Sequence, residues 1–289
     1  MTEVTCVWEA AATLGEGPVW VPRDASVYWV DIKGNAVHRY EPATGGKRIY
    51  ELDRQVCSVT PRAQGGMVAA TRHGFAYLDL ETGAFEPIVE VEIDMPGNRF
   101  NDAKADFKGR LWAGTMDDTE RTTGAGTLYR LDPGGSCAAM DRGYGVTNGP
   151  AFQDDGTMFH TDSHARTIYA FDLDEEGGIS NKRRHIKFTE EDGFPDGMTV
   201  DSEGYLWVAH YSKGRVSRFA PDGRVDGVVE VPAKQTTSVV FGGADLDRLY
   251  ITSATQNMDD EARRGDPLAG GFFEVRVGIT GRPTAEFAG

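Results

Sequence analysis

The sequence predicts an all-β protein, a six-bladed β-propeller with four antiparallel strands per blade. Three observations carry that expectation. Six short apolar segments resemble one another and recur along the whole chain. Their starts are 40, 44, 47, 48 and 43 residues apart. Glycine is 36 of 289 residues, well above the usual share of about 7%, as a chain of many tight turns requires. A period near 44 with about four strands per repeat is the signature of a propeller blade.

The six segments are Val27-Tyr-Trp-Val-Asp31, Met67-Val-Ala-Ala-Thr71, Leu111-Trp-Ala-Gly-Thr115, Met158-Phe-His-Thr-Asp162, Leu206-Trp-Val-Ala-His210 and Leu249-Tyr-Ile-Thr-Ser253. They are too short for helices and rich in aromatic and β-branched residues, so they read as strands. A second apolar segment follows most of them, as in Ala36-Val-His-Arg-Tyr40 and Thr167-Ile-Tyr-Ala-Phe171. Turns such as Pro221-Asp-Gly223 come next. No linker-like stretch interrupts the pattern, so residues 1–289 read as one domain. A propeller must close, and residues 4–8 are expected to supply the outermost strand of the last repeat. The C-terminal Ala285-Glu-Phe-Ala288 competes for that place.

Composition narrows the function. The 30 Lys and Arg against 45 Asp and Glu leave a formal charge of −15. That balance disfavours nucleic acid and anionic membrane surfaces as partners. Three scattered cysteines without a C-x-x-C indicate neither a disulfide framework nor a structural zinc site. The N-terminal residues lack the basic and apolar regions of a signal peptide, and no run of about 18 apolar residues exists. The expectation is a soluble, cytoplasmic protein. Its oligomeric state is not legible.

One polar residue precedes each anchor segment by 9–11 positions: Glu16, Ser58, Asn101, Asn148, Asp196 and Ser238. Equivalent positions in six blades fall on a ring, which lines the channel if this strand is the innermost. Carboxylates converging on an axis repel one another and lose solvation unless a partner is present. A hard divalent cation is such a partner, and an all-oxygen set suits Ca²⁺, Mg²⁺ or Mn²⁺. A water-filled channel with ordinary polar lining is the other reading. Asp172-Leu-Asp-Glu-Glu-Gly177 resembles a calcium loop but lacks its twelfth-position glutamate and reads as a turn. His210, at a strand end, is a candidate to face the pocket.

Two connections, 116–126 and 254–270, are longer than their counterparts and are expected to overhang the ring residues as lids. They carry Asp118, Glu120, Arg121, Asp259, Asp260, Arg263 and Arg264, each of which alone reads as solvated surface charge. No nucleophile elbow, phosphate loop or dinucleotide fingerprint is present, so an enzyme of this sequence would rely on a metal.

Gly15-Glu-Gly-Pro-Val-Trp20, Asn98-Arg-Phe-Asn-Asp102, Ala113-Gly-Thr-Met116, Thr147-Asn-Gly149, Pro195-Asp-Gly-Met198 and Phe241-Gly-Gly243 resemble the senescence-marker-protein, regucalcin and gluconolactonase family. The likeness runs in order over essentially the whole chain. It implies one divalent cation (Ca²⁺, Mg²⁺, Mn²⁺ or Zn²⁺) and hydrolysis of a sugar lactone to the aldonic acid. By motif, the implied metal ligands are Glu16, Asn148 and Asp196. Asn101 lies beside the metal and binds substrate or water, and Arg99 contacts substrate hydroxyls. Asp196 is the candidate general base. The family often has an acidic substrate contact where this chain has Thr119, between Asp118 and Glu120, which leaves the role of those lid residues open. Two alternatives remain: a phosphotriester or other ester hydrolase at the same metal, and a calcium-binding propeller without catalysis.

Overall fold

The computed structural model describes residues 3–119 and 123–289. Six four-stranded antiparallel sheets make up the chain, which is a six-bladed β-propeller. The first strands of the blades are Gly15–Val21, Val56–Pro61, Asn98–Ala105, Thr147–Phe152, Phe194–Val200 and Thr236–Gly242. Each anchor segment forms the second strand, as its apolar run requires. Among the described residues one short α-helix, Asp260–Gly265, lies in the sixth-blade connection, and Asp259 caps it by accepting from the Ala262 amide at 2.8 Å.

The strands fall into two compact units. One spans Met1–Ile49 and Phe188–Thr284, the other Tyr50–Lys187 and Ala285–Gly289. In the first unit, Trp20, Trp29, Tyr40, Tyr250 and Phe272 pack the first blade on the sixth. A second cluster there packs the fifth blade on the sixth through Trp207, Val239, Phe241 and Ile251. In the other unit, Trp112, Leu128, Tyr144, Phe152 and Met158 join the third blade to the fourth.

Thr5–Trp8 pairs with Phe272–Arg276 and completes the sixth sheet, as expected for closure from the N-terminus. The competing C-terminal segment goes elsewhere. Phe287 is fully buried, bridges to Arg62 and donates its amide to Pro61 O at 2.9 Å.

A repeated carboxylate closes the hairpin after the first strand. Asp106 accepts from the Lys108 and Arg110 amides and from the Trp112 indole N–H at 2.8 Å. Asp201 does the same for Glu203, Tyr205 and Trp207, again at 2.8 Å for the indole. A buried carboxylate is tolerated because every one of these donors is aimed at it.

Candidate functional site

The six ring residues do lie on first strands, and the register explains why their side chains are presented. Pairing with the second strand is interrupted at this point in all six blades. The breaks are Glu16/Val19, Val56/Ser58, Phe100/Ala103, Asn148/Ala151, Pro195/Met198 and Thr236/Val239. A β-bulge re-aims a side chain and ends local pairing, and bulges concentrate beside active sites. In the blades of Glu16, Asn148 and Asp196 a glycine follows the bulged residue. Gly17 and Gly149 adopt φ of +51° and +80°, conformations that cost a glycine little. Gly197 leaves no room for a side chain: a Cβ there would lie 2.0 Å from Ser238 Oγ.

In the first unit, Glu16 and Asp196 are both buried at their bulges, at 4% and 7% exposure. Glu16 Oε2 accepts from the Gly17 amide at 2.9 Å.

In the other unit the expected residues form one connected chain of hydrogen bonds. Arg99 is buried, with Nε donating to Asp118 Oδ1 at 2.7 Å. Its Nη1 donates to Phe100 O at 2.9 Å and to Asn101 Oδ1 at 2.7 Å. Asn101 Nδ2 in turn donates to Thr147 O at 2.7 Å and to Asn148 Oδ1 at 3.1 Å. Asn148 Nδ2 donates to Ser163 Oγ at 2.9 Å. This order fixes both amide orientations. It also spends three of the five N–H groups of Arg99 and leaves the two on Nη2 without a hydrogen bond among the described residues. A rigidly held guanidinium with one unspent edge is a preorganised donor for hydroxyl or carboxylate oxygens.

Asp118 is therefore not the solvated lid charge expected from its sequence context. Its side chain is 18% exposed and is shared between Arg99 and Arg72, whose Nη1 donates to Oδ2 at 2.8 Å. Asp117 builds the turn beneath, accepting from the Thr119 amide and hydroxyl at 2.9 and 2.6 Å. Glu120 and Arg121 lie outside the described residues.

His210, considered above for the pocket, is 1% exposed, stacks on Phe188 at 4.5 Å and places Nδ1 2.8 Å from Asp192 O. Burial pushes its imidazole down to about 4, so it is neutral at pH 7. The calcium-loop-like segment is a tight turn, closed by the Asp174 amide on Gly178 O at 3.0 Å.

The model of the family described as the SMP-30/Gluconolactonase/LRE-like region matches residues 14–255. The chain belongs to that family. It is 39% identical to pentonolactonase XacC of Haloferax volcanii over 97% of this chain and 96% of the relative. It is 36% identical to the 6-deoxy-6-sulfogluconolactonase of Pseudomonas putida, over 98% of each chain. The crystal structure described as a calcium-binding protein, regucalcin, from Agrobacterium tumefaciens superposes with a TM-score of 0.94 at 30% identity. That match covers 99% of this chain and 97% of the other.

The donor chemistry of this SMP-30/gluconolactonase family member suits a hard cation. In the first unit Glu16 and Asp196 are buried carboxylates, and in the other unit the amide nitrogen of Asn148 is turned onto Ser163. Among the described residues no group of three His, Cys, Asp or Glu side chains is arranged for a metal. The expected ligand set takes one member from an asparagine.

Reading the motifs alone overlooked one participant. Asp102 is buried and accepts from the Gly149 amide at 3.0 Å and from the Ala103 amide at 2.9 Å. It staples the residue that follows Asn148, and burial holds its carboxyl above the usual carboxylate range. The adjacent Asn-Asp pair of the Arg-Phe-Asn-Asp motif was its signal in the sequence.

Proposed function

We propose that this protein is a metal-dependent sugar lactonase. It opens an aldonolactone to the aldonic acid, with Glu16, Asn148 and Asp196 holding the divalent cation. The observation that carries the reading is end-to-end similarity to two enzymes named as sugar lactonases. The oriented array around Arg99 adds a site suited to a polyhydroxylated substrate.

A cation held by Glu16, Asn148 and Asp196 would supply Lewis-acid polarisation of the lactone carbonyl and a lowered pKa for nearby water. Asp196 takes a proton from the attacking water as its oxygen bonds to the carbonyl carbon. The ring C–O bond then breaks, and the ring oxygen leaves as a hydroxyl carrying that proton. Arg99 directs its unspent Nη2 edge at substrate hydroxyls. Asn101, pinned between Arg99 and Asn148 with both its N–H groups spent, accepts from a hydroxyl of substrate or water through the second lone pair of Oδ1. Orientation of this kind lowers the barrier because the hydrogen-bond geometry is set before the substrate arrives.

The test is substitution with the fold checked by circular dichroism. Asp196→Ala and Glu16→Gln each reduce aldonolactone turnover sharply. Near-native turnover by folded Asp196→Ala refutes its assignment. Turnover of a phosphotriester panel without lactone hydrolysis would replace the substrate class.

A further inference from the structure

The last residue of each repeat segment has a position-specific role in four blades. These residues are Asp31, Thr71, Thr115, Asp162, His210 and Ser253. Asp31 and Asp162 make the same three bonds. Asp31 accepts from the Thr13 and Leu14 amides at 2.8 and 2.9 Å and from the Gly34 amide at 2.9 Å. Asp162 accepts from the Gly145 and Val146 amides at 3.2 and 3.5 Å and from the Ala165 amide at 3.1 Å. In each case the first two amides stand three and two residues before a candidate ligand, Glu16 or Asn148. The third stands three residues after the aspartate. The backbone repeats too: Ile32 N donates to Leu14 O at 3.0 Å and Ser163 N to Val146 O at 2.9 Å.

The other blades sharpen the pattern. His210 reaches Asp192 O on the approach to Asp196. Thr115 reaches Glu92 at 3.0 Å, which in turn holds Asn98, next to Arg99, at 2.8 Å. Thr71 and Ser253 turn away instead, to Gly74 O and Gly271 O, in the blades whose ring residues are serines.

We propose that Asp31 and Asp162 are positioning residues that set metal affinity by fixing the loops that deliver Glu16 and Asn148. The proposal rests on the metal-dependent reading above. Two carboxylate-to-amide bonds pin the residues three and two positions ahead of each ligand and the third ties the aspartate to its own turn, so the ligand oxygen arrives at a defined place. Asparagine keeps the volume but turns an N–H₂ toward amides that also donate. The approach loop then loses at least one bond and the ligand its fixed origin. Outer partners that orient ligands typically change metal affinity 10–100-fold.

The experiment is calorimetric titration of Mn²⁺ and of Ca²⁺ into chelator-treated protein. It compares wild type with Asp31→Asn, Asp162→Asn and two controls, Asp106→Asn and Asp201→Asn. The control carboxylates are as deeply buried and hold backbone amides, but at the far hairpins of their blades. The expected result is Kd raised about tenfold or more in Asp31→Asn and Asp162→Asn. The controls lower the thermal midpoint and leave Kd at the wild-type value. Unchanged Kd in both test variants, or a loss no larger than in the controls, overturns the positioning role while the metal reading stands. A wild type that binds neither cation overturns both. If one variant does not fold, the other carries the test.

Discussion

Asp118→Asn tests whether the hydrogen-bonded chain in the third blade aims Arg99. The carboxylate accepts from Arg99 Nε at 2.7 Å and from Arg72 Nη1 at 2.8 Å. Asparagine can keep one oxygen acceptor but removes the charge. A hydrogen bond to a charged group contributes about 1.5–3 kcal/mol, with the ion pair toward the top of that range and the bond asparagine keeps to the guanidinium toward the bottom. The difference for the buried Arg99 arm is therefore about 1 kcal/mol. The Arg72 arm is 35% exposed on the arginine side and contributes little beyond that. At about 1.4 kcal/mol per factor of ten, kcat/KM for a polyhydroxylated lactone falls roughly fivefold. Most of the loss is in KM, because Arg99 keeps Phe100 O and Asn101 Oδ1 and only its free edge is released. The assay is initial-rate hydrolysis followed with a pH indicator, on a hydroxylated lactone and on unsubstituted butyrolactone. The unsubstituted lactone has no hydroxyl for Arg99 and should show no change. Wild-type KM and kcat on the hydroxylated substrate would refute the argument.

Acid stability and hairpin stability give two further checks. His160 is fully buried, and among the described residues neither ring nitrogen has a hydrogen-bond partner. Burial pushes its pKa down from 6.5 to about 3. Its neutral form is favoured by folding, so this contribution is complete above the unfolded pKa and lost as pH falls below it toward the folded one. At pH 4.5 the loss is about 2–3 kcal/mol. A folded His160→Phe protein should therefore lose less stability between pH 7 and 4.5 in urea titrations; parallel losses contradict this. Asp201→Ala removes the acceptor of two amides, the Trp207 indole and Arg218 Nε. Arg218 retains Glu203 and Asp226, so the cost is about 3 kcal/mol, or a thermal midpoint lower by about 6–12 °C. An unchanged midpoint would contradict the role given to that carboxylate.

The parts of this account that were legible in the sequence are those that repeat. The anchor segments carry their period in apolar residues, and a count of 9–11 positions back from them leads to Glu16, Asn101, Asn148 and Asp196. The supporting contacts were not legible, because they depend on where a side chain points. Asp31 and Asp162 look like ordinary strand ends until their amide partners, 17 or 18 and 16 or 17 residues earlier, are seen to sit beside them. Asp118 looked like lid charge because its partner Arg72 belongs to another blade, 46 residues away. His210 sits at a strand end that in two other blades carries aspartate. The aromatic ring of Phe188, which helps bury it, gives no signal in the local motif.

The most direct test of the central claim is aldonolactone hydrolysis by the wild-type protein after chelation, with Ca²⁺, Mg²⁺, Mn²⁺ or Zn²⁺ restored singly and spontaneous hydrolysis subtracted. The account predicts that chelation abolishes turnover without unfolding the protein and that at least one cation restores it. Full turnover in chelator, or none with any cation on a folded protein that binds one, would contradict it.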